Sequence, residues 1–228
     1  MKLPWRERVE IAGGRAVLYL GDNREVWPAL NVRPDAVISD PPYGIAAAGA
    51  TVTGGKRQWP LFRAGILGTV DQADAAFTQA MSAAADAVVI WGGQFFPLQP
   101  ARGWLVWNKI LRNWSASEAE LAWTNLDQPV RVYDYSHGQL ANEGKEHPTQ
   151  KPLPLMLWCL DQAKVAPGAI AADPYMGSGT TGVACMRRGC RFVGIEIDEG
   201  YFRAPHRCVA ETAHPPAPRI AHTCRIRS

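Results

Sequence analysis

The organisation of this chain follows from the stretch Ala36-Val37-Ile38-Ser39-Asp40-Pro41-Pro42-Tyr43-Gly44. Its apolar start predicts a short buried strand, and the prolines and the glycine predict that this strand ends abruptly. The two prolines have no backbone N–H and a fixed φ, so they cannot extend a central strand. We therefore expect Asp40 and Tyr43 at the carboxyl edge of a sheet, where open α/β sheets bind ligands.

Composition sets wide limits on the class of protein. The chain has 228 residues, of which 47% are hydrophobic and 20% charged, as in one large soluble domain with a sizeable core. No apolar run reaches the roughly 18 residues that span a bilayer, and the start of the chain does not resemble a signal peptide. The five cysteines include no Cys-x-x-Cys pair, which predicts reduced thiols and no metal site. We expect a cytoplasmic protein without a membrane partner. The net charge of +3 permits nucleic-acid binding but does not argue for it.

Further strands and helices are predicted from the hydrophobic pattern. Strand-like segments at 16–22, 87–93, 103–109, 120–123 and 130–135 alternate with helix-like segments at 23–30, 71–86 and 153–165. The segment 130–135 alternates with period two, which suits an edge strand or a hairpin. This pattern predicts an α/β fold with a mostly parallel twisted sheet and helices on both faces.

A second strand-turn-helix pattern lies near the end of the chain. A predicted strand at 168–173 leads into residues 177–182, which have the Gly-x-Gly-x-x-Gly spacing. Glycines here let the backbone approach a ligand closely, and the following helix offers free N–H groups. The next predicted strand ends at Glu196, whose carboxylate can accept hydrogen bonds from both hydroxyls of a ribose. These features predict an adenosine-containing cofactor without naming it.

The order of the motifs along the chain distinguishes between the possible cofactors. A dinucleotide-dependent oxidoreductase needs further strands after Glu196, where only about thirty residues remain. Here those strands come earlier, around Asp40. The order of the motifs at 40–43, 147–152 and 173–180 resembles that of the beta-group DNA amino-methyltransferases. The resemblance covers about residues 18 to 209 and implies a circularly permuted, Rossmann-like class I fold that binds S-adenosylmethionine.

The resemblance implies roles for individual residues. The catalytic motif is Asp40, Pro41, Pro42 and Tyr43. The implied cofactor-binding residues are Asp22, Thr149, Gln150, Lys151, Asp173, Pro174, Tyr175, Gly177, Ser178, Gly179, Thr180 and Glu196. Asp22 also has a simpler interpretation as the N-cap of the helix that follows it, and one side chain can fill both roles.

The implied reaction transfers a methyl group to the exocyclic N6 of an adenine flipped out of DNA. Asp40 and a carbonyl of the Pro41-Pro42 turn would accept the two amino protons, and Tyr43 would provide a flat face for the base. An aspartate at the first position favours adenine, whereas serine is more usual for cytosine N4, which stays the alternative. Methylation at carbon 5 of cytosine needs a cysteine nucleophile, typically behind a proline, and the chain has no Pro-Cys dipeptide. An oxidoreductase and a module that only binds nucleic acid are less favoured. Methyltransferases of RNA or protein usually have asparagine at position 40 and the unpermuted order.

The remaining segments concern DNA. Residues 44–70 contain six glycines and no acidic residue, which predicts a long mobile loop whose Lys56, Arg57 and Arg63 bind phosphates. We expect one catalytic domain at 1–211, with a catalytic half (16–109), a target-recognition segment (110–146) and a cofactor half (147–211), followed by a disordered basic tail at 212–228. The recognition segment is short for the family, which predicts a short or degenerate target. These features would fit a restriction-modification, orphan or phage methylase whose partner is DNA. They also permit a homodimer.

Overall fold

One sheet runs through the structure, a computed structural model that describes residues 3–42, 71–111, 117–136 and 151–213. Its nine strands within these ranges are β1 (Glu7–Ile11), β2 (Ala16–Leu20), β3 (Ala36–Ser39), β4 (Ala87–Trp91), β5 (Trp104–Asn108), β6 (Ala119–Thr124), β7 (Arg131–Asp134), β8 (Ile170–Asp173) and β9 (Arg191–Glu196). The helices are α1 (Asn23–Ala29), α2 (Asp71–Met81), α3 (Leu153–Gln162), α4 (Thr180–Arg187) and α5 (Glu199–Ala213). A 3-10 turn, Gly93–Phe95, follows β4.

The strand order places the last strands of the chain in the middle of the sheet. That order is β1-β2-β9-β8-β3-β4-β6-β5-β7. Strands β2, β9, β8, β3 and β4 are mutually parallel, so their carboxyl ends lie at one edge. Strand β6 runs antiparallel to β4 and β5, so its first residues arrive at this same edge. Strands far apart in the sequence therefore deliver their terminal side chains to one place.

Hydrophobic side chains cover both faces of the sheet. In β3, Ile38 packs in the cluster that includes Leu155 of α3 and Phe202 of α5. The neighbouring Val37 points to the opposite face, where it packs in the cluster of Met81 from α2. Because successive strand residues alternate between faces, a strand that is buried on both sides is mostly apolar: β4 is apolar throughout, and β3 is apolar except for Ser39. The predicted mostly parallel sheet with helices on both faces is confirmed.

The element boundaries differ from the sequence predictions at a few places. Helix α2 ends at Met81 instead of 86, and α3 ends at Gln162 before Lys164, whose φ of +53° is incompatible with a continuing helix. The predicted edge strand is confirmed, because β7 lies at one edge of the sheet that the described strands form. Strand β1 and helix α5 were not predicted. Strand β1 carries three charged residues in five and owes its place to antiparallel pairing with β2. None of the described helices is long and apolar enough to cross a membrane.

Close packing of α4 on β9 generates a testable expectation at Gly182. A methyl group there would lie 2.8 Å from a ring carbon of Phe192, which is almost fully buried. Alanine favours a helix over glycine by about 1 kcal/mol, but overpacking of a core costs about 1–3 kcal/mol. Urea unfolding should therefore show that Gly182→Ala lowers the free energy of unfolding. Adding Phe192→Leu should relieve the contact. The double variant should therefore have a higher free energy of unfolding than the sum of the two single effects predicts. A Gly182→Ala protein at least as stable as the wild type would contradict the packing.

Candidate active site

A cleft at the carboxyl edge of the sheet brings the sequence motifs together. Asp40 follows β3, Asp173 ends β8, and Glu196 ends β9. Two prolines follow Asp40, and β3 ends one residue before it, as the sequence predicts. The cleft is lined by Asp40, Lys151, Met156, Asp173, Tyr175, Met176, Gly177, Ser178, Thr180 and Thr181. Asp40 of the motif at 40–43, Lys151 of the motif at 147–152 and the glycine turn (residues 177–180) of the motif at 173–180 thus border one space.

The two oxygens of the Asp40 carboxylate have different surroundings. Oδ2 accepts a hydrogen bond from Nζ of Lys151. Oδ1 is buried, and no described residue donates a hydrogen bond to it. Burial raises the pKa of Asp40, the positive charge of Lys151 opposes this rise, and the negative charge of Glu120 adds to it. The carboxylate therefore presents one paired oxygen and one acceptor without a described donor.

Lys151 belongs to a row of alternating charges. Its side chain is only 8% exposed, and its ammonium lies 3.2 Å from Oε2 of Glu120 and 5.6 Å from the centre of the Trp91 ring. Oε1 of Glu120 lies 2.7 Å from Nζ of Lys109. Burial opposes ionisation of Glu120, but Lys151 and Lys109 together bring its pKa below the usual value. Sequence reasoning missed Glu120 and Lys109. The sequence signal was weak: Glu120 is the one acidic residue of the predicted strand 120–123, whose other residues are apolar.

Asp173 ties the two halves of the sheet together. Its Oδ1 accepts hydrogen bonds from the hydroxyl of Ser39 (2.7 Å) and the backbone N–H of Tyr175 (3.1 Å). Its Oδ2 accepts from the hydroxyl of Thr181 at 2.8 Å. Burial raises the pKa of Asp173 to about 6, although all three donors act to lower it. Both oxygens already have protein donors, so this residue orders the strand ends and α4. Direct contact with a cofactor stays a prediction.

The glycine turn is shaped by left-handed residues and by Glu196. Gly177 and Gly179 have φ values of +50° and +72°, which residues with a side chain rarely adopt. Oε2 of Glu196 accepts from the N–H of Gly177, and Oε1 accepts from the N–H of Asp198, both at 2.8 Å. Burial raises the pKa of Glu196, although these N–H groups oppose the rise. The carboxylate has lone pairs left over, so it can hold the turn and accept further hydrogen bonds.

The other cofactor candidates among the described residues make contacts of their own. Asp22 is the N-cap of α1 and accepts from the N–H of Arg24 at 2.9 Å, so its capping role is confirmed. The carbonyl of Pro174 accepts from Nδ2 of Asn23 at 3.0 Å. The ring of Tyr175 packs edge-on against Phe77. The hydroxyls of Ser178 and Thr180 are 3.0 Å apart. The residues Tyr43, Lys56, Arg57, Arg63, Thr149 and Gln150 lie outside the described residues, as do 44–70 and the tail from 214.

The buried Asp173 should make folding stability depend on pH. Its pKa of about 6 in the folded protein exceeds the ordinary value of 3.8, so the folded state binds more protons between these values. The protonated form of Asp173 therefore stabilises the folded protein below about pH 4. As the pH rises from about 4 to 6, the free energy of unfolding falls by at most about 3 kcal/mol. Urea unfolding at several pH values should show that the wild type loses more stability over this window than Asp173→Asn. Identical pH profiles would contradict the assignment.

Comparison with known proteins agrees with this geometry. Residues 104–206 match the family model of the N6/N4 DNA methylases. The crystal structure of an M1.HpyAVI–SAM complex superimposes with a TM-score of 0.56 at 22% identity, covering 84% of this chain and 98% of that chain. The cytosine-N4-specific PvuII DNA methyltransferase gives 0.55 at 14% identity, covering 85% and 86%. At these identities the likeness concerns the fold, and the class I fold predicted from the sequence is confirmed.

Two proteins of Escherichia coli (strain K12) match parts of the sequence. DNA adenine methyltransferase YhdJ is 36% identical over 94 residues, which is 41% of this chain and 32% of that protein. YubD is 42% identical over 66 residues, which is 29% of each. The chain thus spans about a third of the length of these relatives. With the family model, these matches agree on one likeness: residues 104–206 of the chain resemble the DNA methylases of the N6/N4 family.

Proposed function

We propose that this chain is an S-adenosylmethionine-dependent DNA methyltransferase that modifies the exocyclic N6 of adenine. The observation that carries the proposal is the position of Asp40. Its Oδ1 is buried and has no described donor, and Asp40 lines the same cleft as the glycine turn. An acceptor for an amino group and a candidate adenosine site therefore lie side by side. The family match and the fold likeness support this assignment.

The residues around the glycine turn suit S-adenosylmethionine. Glu196 stands at the end of β9 with lone pairs available for ribose hydroxyls. The left-handed Gly177 and Gly179 keep the backbone free of side chains where a ligand would approach. When bound, S-adenosylmethionine supplies an activated methyl group on a sulfonium, which leaves as a neutral thioether. The protein therefore has mainly to bind, orient and stabilise.

Asp40 performs the central task in this mechanism. Oδ1 accepts a hydrogen bond from the amino group of the target base and directs its nitrogen towards the methyl group. Transfer would form the nitrogen–carbon bond while the carbon–sulfur bond of the bound cofactor breaks, and positive charge would develop on the nitrogen. The negative charge of Asp40 stabilises this charge, and Oδ1 then accepts the proton that the nitrogen releases and passes it to solvent. Tyr43 would stack on the flipped base.

Adenine is favoured over cytosine by Asp40 at the first position of the motif. The relative YhdJ is named a DNA adenine methyltransferase, whereas PvuII is named cytosine-N4-specific, so cytosine N4 is the second candidate. Incubating the purified protein with plasmid DNA and S-adenosylmethionine, followed by mass spectrometry of the nucleosides, tests both. We expect N6-methyladenine. N4-methylcytosine would support the second candidate, and unmodified nucleosides would overturn the proposal.

The remaining sequence predictions extend this proposal. Lys56, Arg57 and Arg63 would contact DNA phosphates, and Thr149 and Gln150 would border the cofactor. The division into a catalytic half at 16–109, a recognition segment at 110–146 and a cofactor half at 147–211 stays a prediction. In the sheet, β8 and β9 lie between β2 and β3.

Replacing Asp40 tests the catalytic assignment. Asp40→Ala should lower the rate of methyl transfer by about 10²-fold or more, because it removes an acceptor aimed at developing charge. Affinity for S-adenosylmethionine should change little, since Asp40 addresses the target base. Transfer of labelled methyl groups and calorimetry measure the two quantities separately. Asp127→Asn, which removes an exposed carboxylate paired with Arg102, is the matched control. Wild-type turnover by Asp40→Ala would contradict the role.

Glu196 should contribute to cofactor affinity. Glu196→Gln keeps the size of the side chain but removes its charge, so the hydrogen bonds to ribose hydroxyls weaken. We expect S-adenosylmethionine to bind about 1.5–3 kcal/mol more weakly, the range for hydrogen bonds to charged groups. Calorimetry measures the change, and circular dichroism checks that the variant is folded. A parallel titration with NAD should show no binding to the wild type. NAD binding would favour an oxidoreductase instead.

A further inference from the structure

Four charged residues form a continuous row behind the candidate catalytic carboxylate. Lys109, Glu120, Lys151 and Asp40 follow one another with alternating sign, and we call them the charge row. Lys109 Nζ and Glu120 Oε1 are 2.7 Å apart, and Glu120 Oε2 and Lys151 Nζ are 3.2 Å apart. Lys151 then pairs directly with Oδ2 of Asp40. The row thus ends at the residue to which the proposed function assigns catalysis.

The charge row is partly buried and built from separate elements. Lys109 follows β5, Glu120 lies in β6, Lys151 precedes α3, and Asp40 follows β3. The side chains of Lys109 and Glu120 are 13% and 25% exposed. Charges at such sites lose hydration, and their mutual attraction does not reliably outweigh that loss. A contribution to stability is therefore a weak reason for this arrangement, whereas fixing one geometry is a stronger one.

The contacts of Lys151 show how geometry is fixed. A lysine ammonium is a point charge on a flexible stem with three donors, so one partner does not determine its position. Here Asp40 and Glu120 accept from it, and the ring of Trp91 lies beside it with its centre 5.6 Å away. Lys109 in turn holds Glu120 and lies near the Trp107 ring. The ammonium is thereby confined from several sides.

We propose that Glu120 is a positioning residue: held by Lys109, it fixes the ammonium of Lys151, which engages Oδ2 of Asp40 and leaves Oδ1 directed at the target amino group. This inference rests on the proposed methyl transfer. Glu120 does not touch the substrate in this account, and its effect reaches the reaction through Lys151. A displacement of a reacting group by about 1 Å can lower a rate about 10²-fold, so a row of this kind has a measurable effect.

The charges of Lys151 and Glu120 shift the pKa of Asp40 in opposite directions, and residues that only packed around Asp40 would not do this. Among the described residues, the titratable groups that face Asp40 are Lys151, Glu120 and Asp173. Lys151 lowers the pKa of Asp40, and Glu120 raises it. Removing Lys151 should therefore raise the pKa of Asp40, whereas neutralising Glu120 should lower it. The two substitutions should shift the acidic limb of the kcat profile in opposite directions.

The test compares Glu120→Ala, Glu120→Gln and Lys151→Met with Asp127→Asn as the control. Glu120→Ala should lower kcat about tenfold and leave KM for DNA and S-adenosylmethionine within about twofold. Glu120→Gln keeps an acceptor for Lys151, so it should recover part of the rate. The acidic limb should move to lower pH in Glu120→Gln and to higher pH in Lys151→Met. Asp127→Asn should match the wild type in rate and pH profile.

Several outcomes would overturn the inference. A wild-type kcat in Glu120→Ala, or acidic limbs that shift in the same direction in Glu120→Gln and Lys151→Met, would show that Glu120 does not position Asp40. A tenfold loss that appears in KM alone would assign Glu120 to binding. If Glu120→Ala does not fold, the isosteric Glu120→Gln carries the test. An inactive wild type would overturn the proposed function and this inference together, whereas an active wild type with unaffected variants would overturn only the inference.

Discussion

The ion pair between Lys151 and Asp40 joins two parts of the chain that are 111 residues apart in sequence. Asp40 follows β3 of the predicted catalytic half, and Lys151 lies two residues before α3 in the predicted cofactor half. The pair occupies Oδ2 and leaves Oδ1 without a described donor, and it holds Asp40 beside the cleft that the glycine turn also lines. The proposed methyl transfer depends on this relation, because nitrogen, methyl carbon and sulfur must align.

Asp173 supports the same relation from the next strand. Through the hydroxyls of Ser39 and Thr181 it connects β3, β8 and α4. Burial of this carboxyl disfavours its charge, and three donors reduce the penalty without removing it. The site thus accepts a destabilising group where strand ends must keep an accurate position. Such local conflicts between stability and geometry are expected at functional sites.

Much of the fold followed from the sequence because its signals are local. The apolar run before Asp40 and the glycines at 177 and 179 identify strand ends and a turn without knowledge of distant contacts. Parallel strands then bring Asp40, Asp173 and Glu196 to one edge. Strand β1 was not predicted because its charged residues interrupt the hydrophobic pattern that indicates a strand. Its position depends on pairing with β2. Lys109 and Glu120 were not predicted because only the antiparallel insertion of β6 between β4 and β5 brings Glu120 next to Lys151. The hydrogen bonds that occupy both oxygens of Asp173 are likewise tertiary.

The most direct test of the central claim is a crystal structure of the protein with a non-reactive analogue of S-adenosylmethionine and a DNA duplex that contains its target. The account predicts a base outside the helix with its amino nitrogen about 2.7–3.1 Å from Oδ1 of Asp40, while Oδ2 stays paired with Lys151. The analogue should lie at the glycine turn with its ribose hydroxyls on Glu196. An amino nitrogen held by other groups, with Asp40 facing away from the base, would contradict the account.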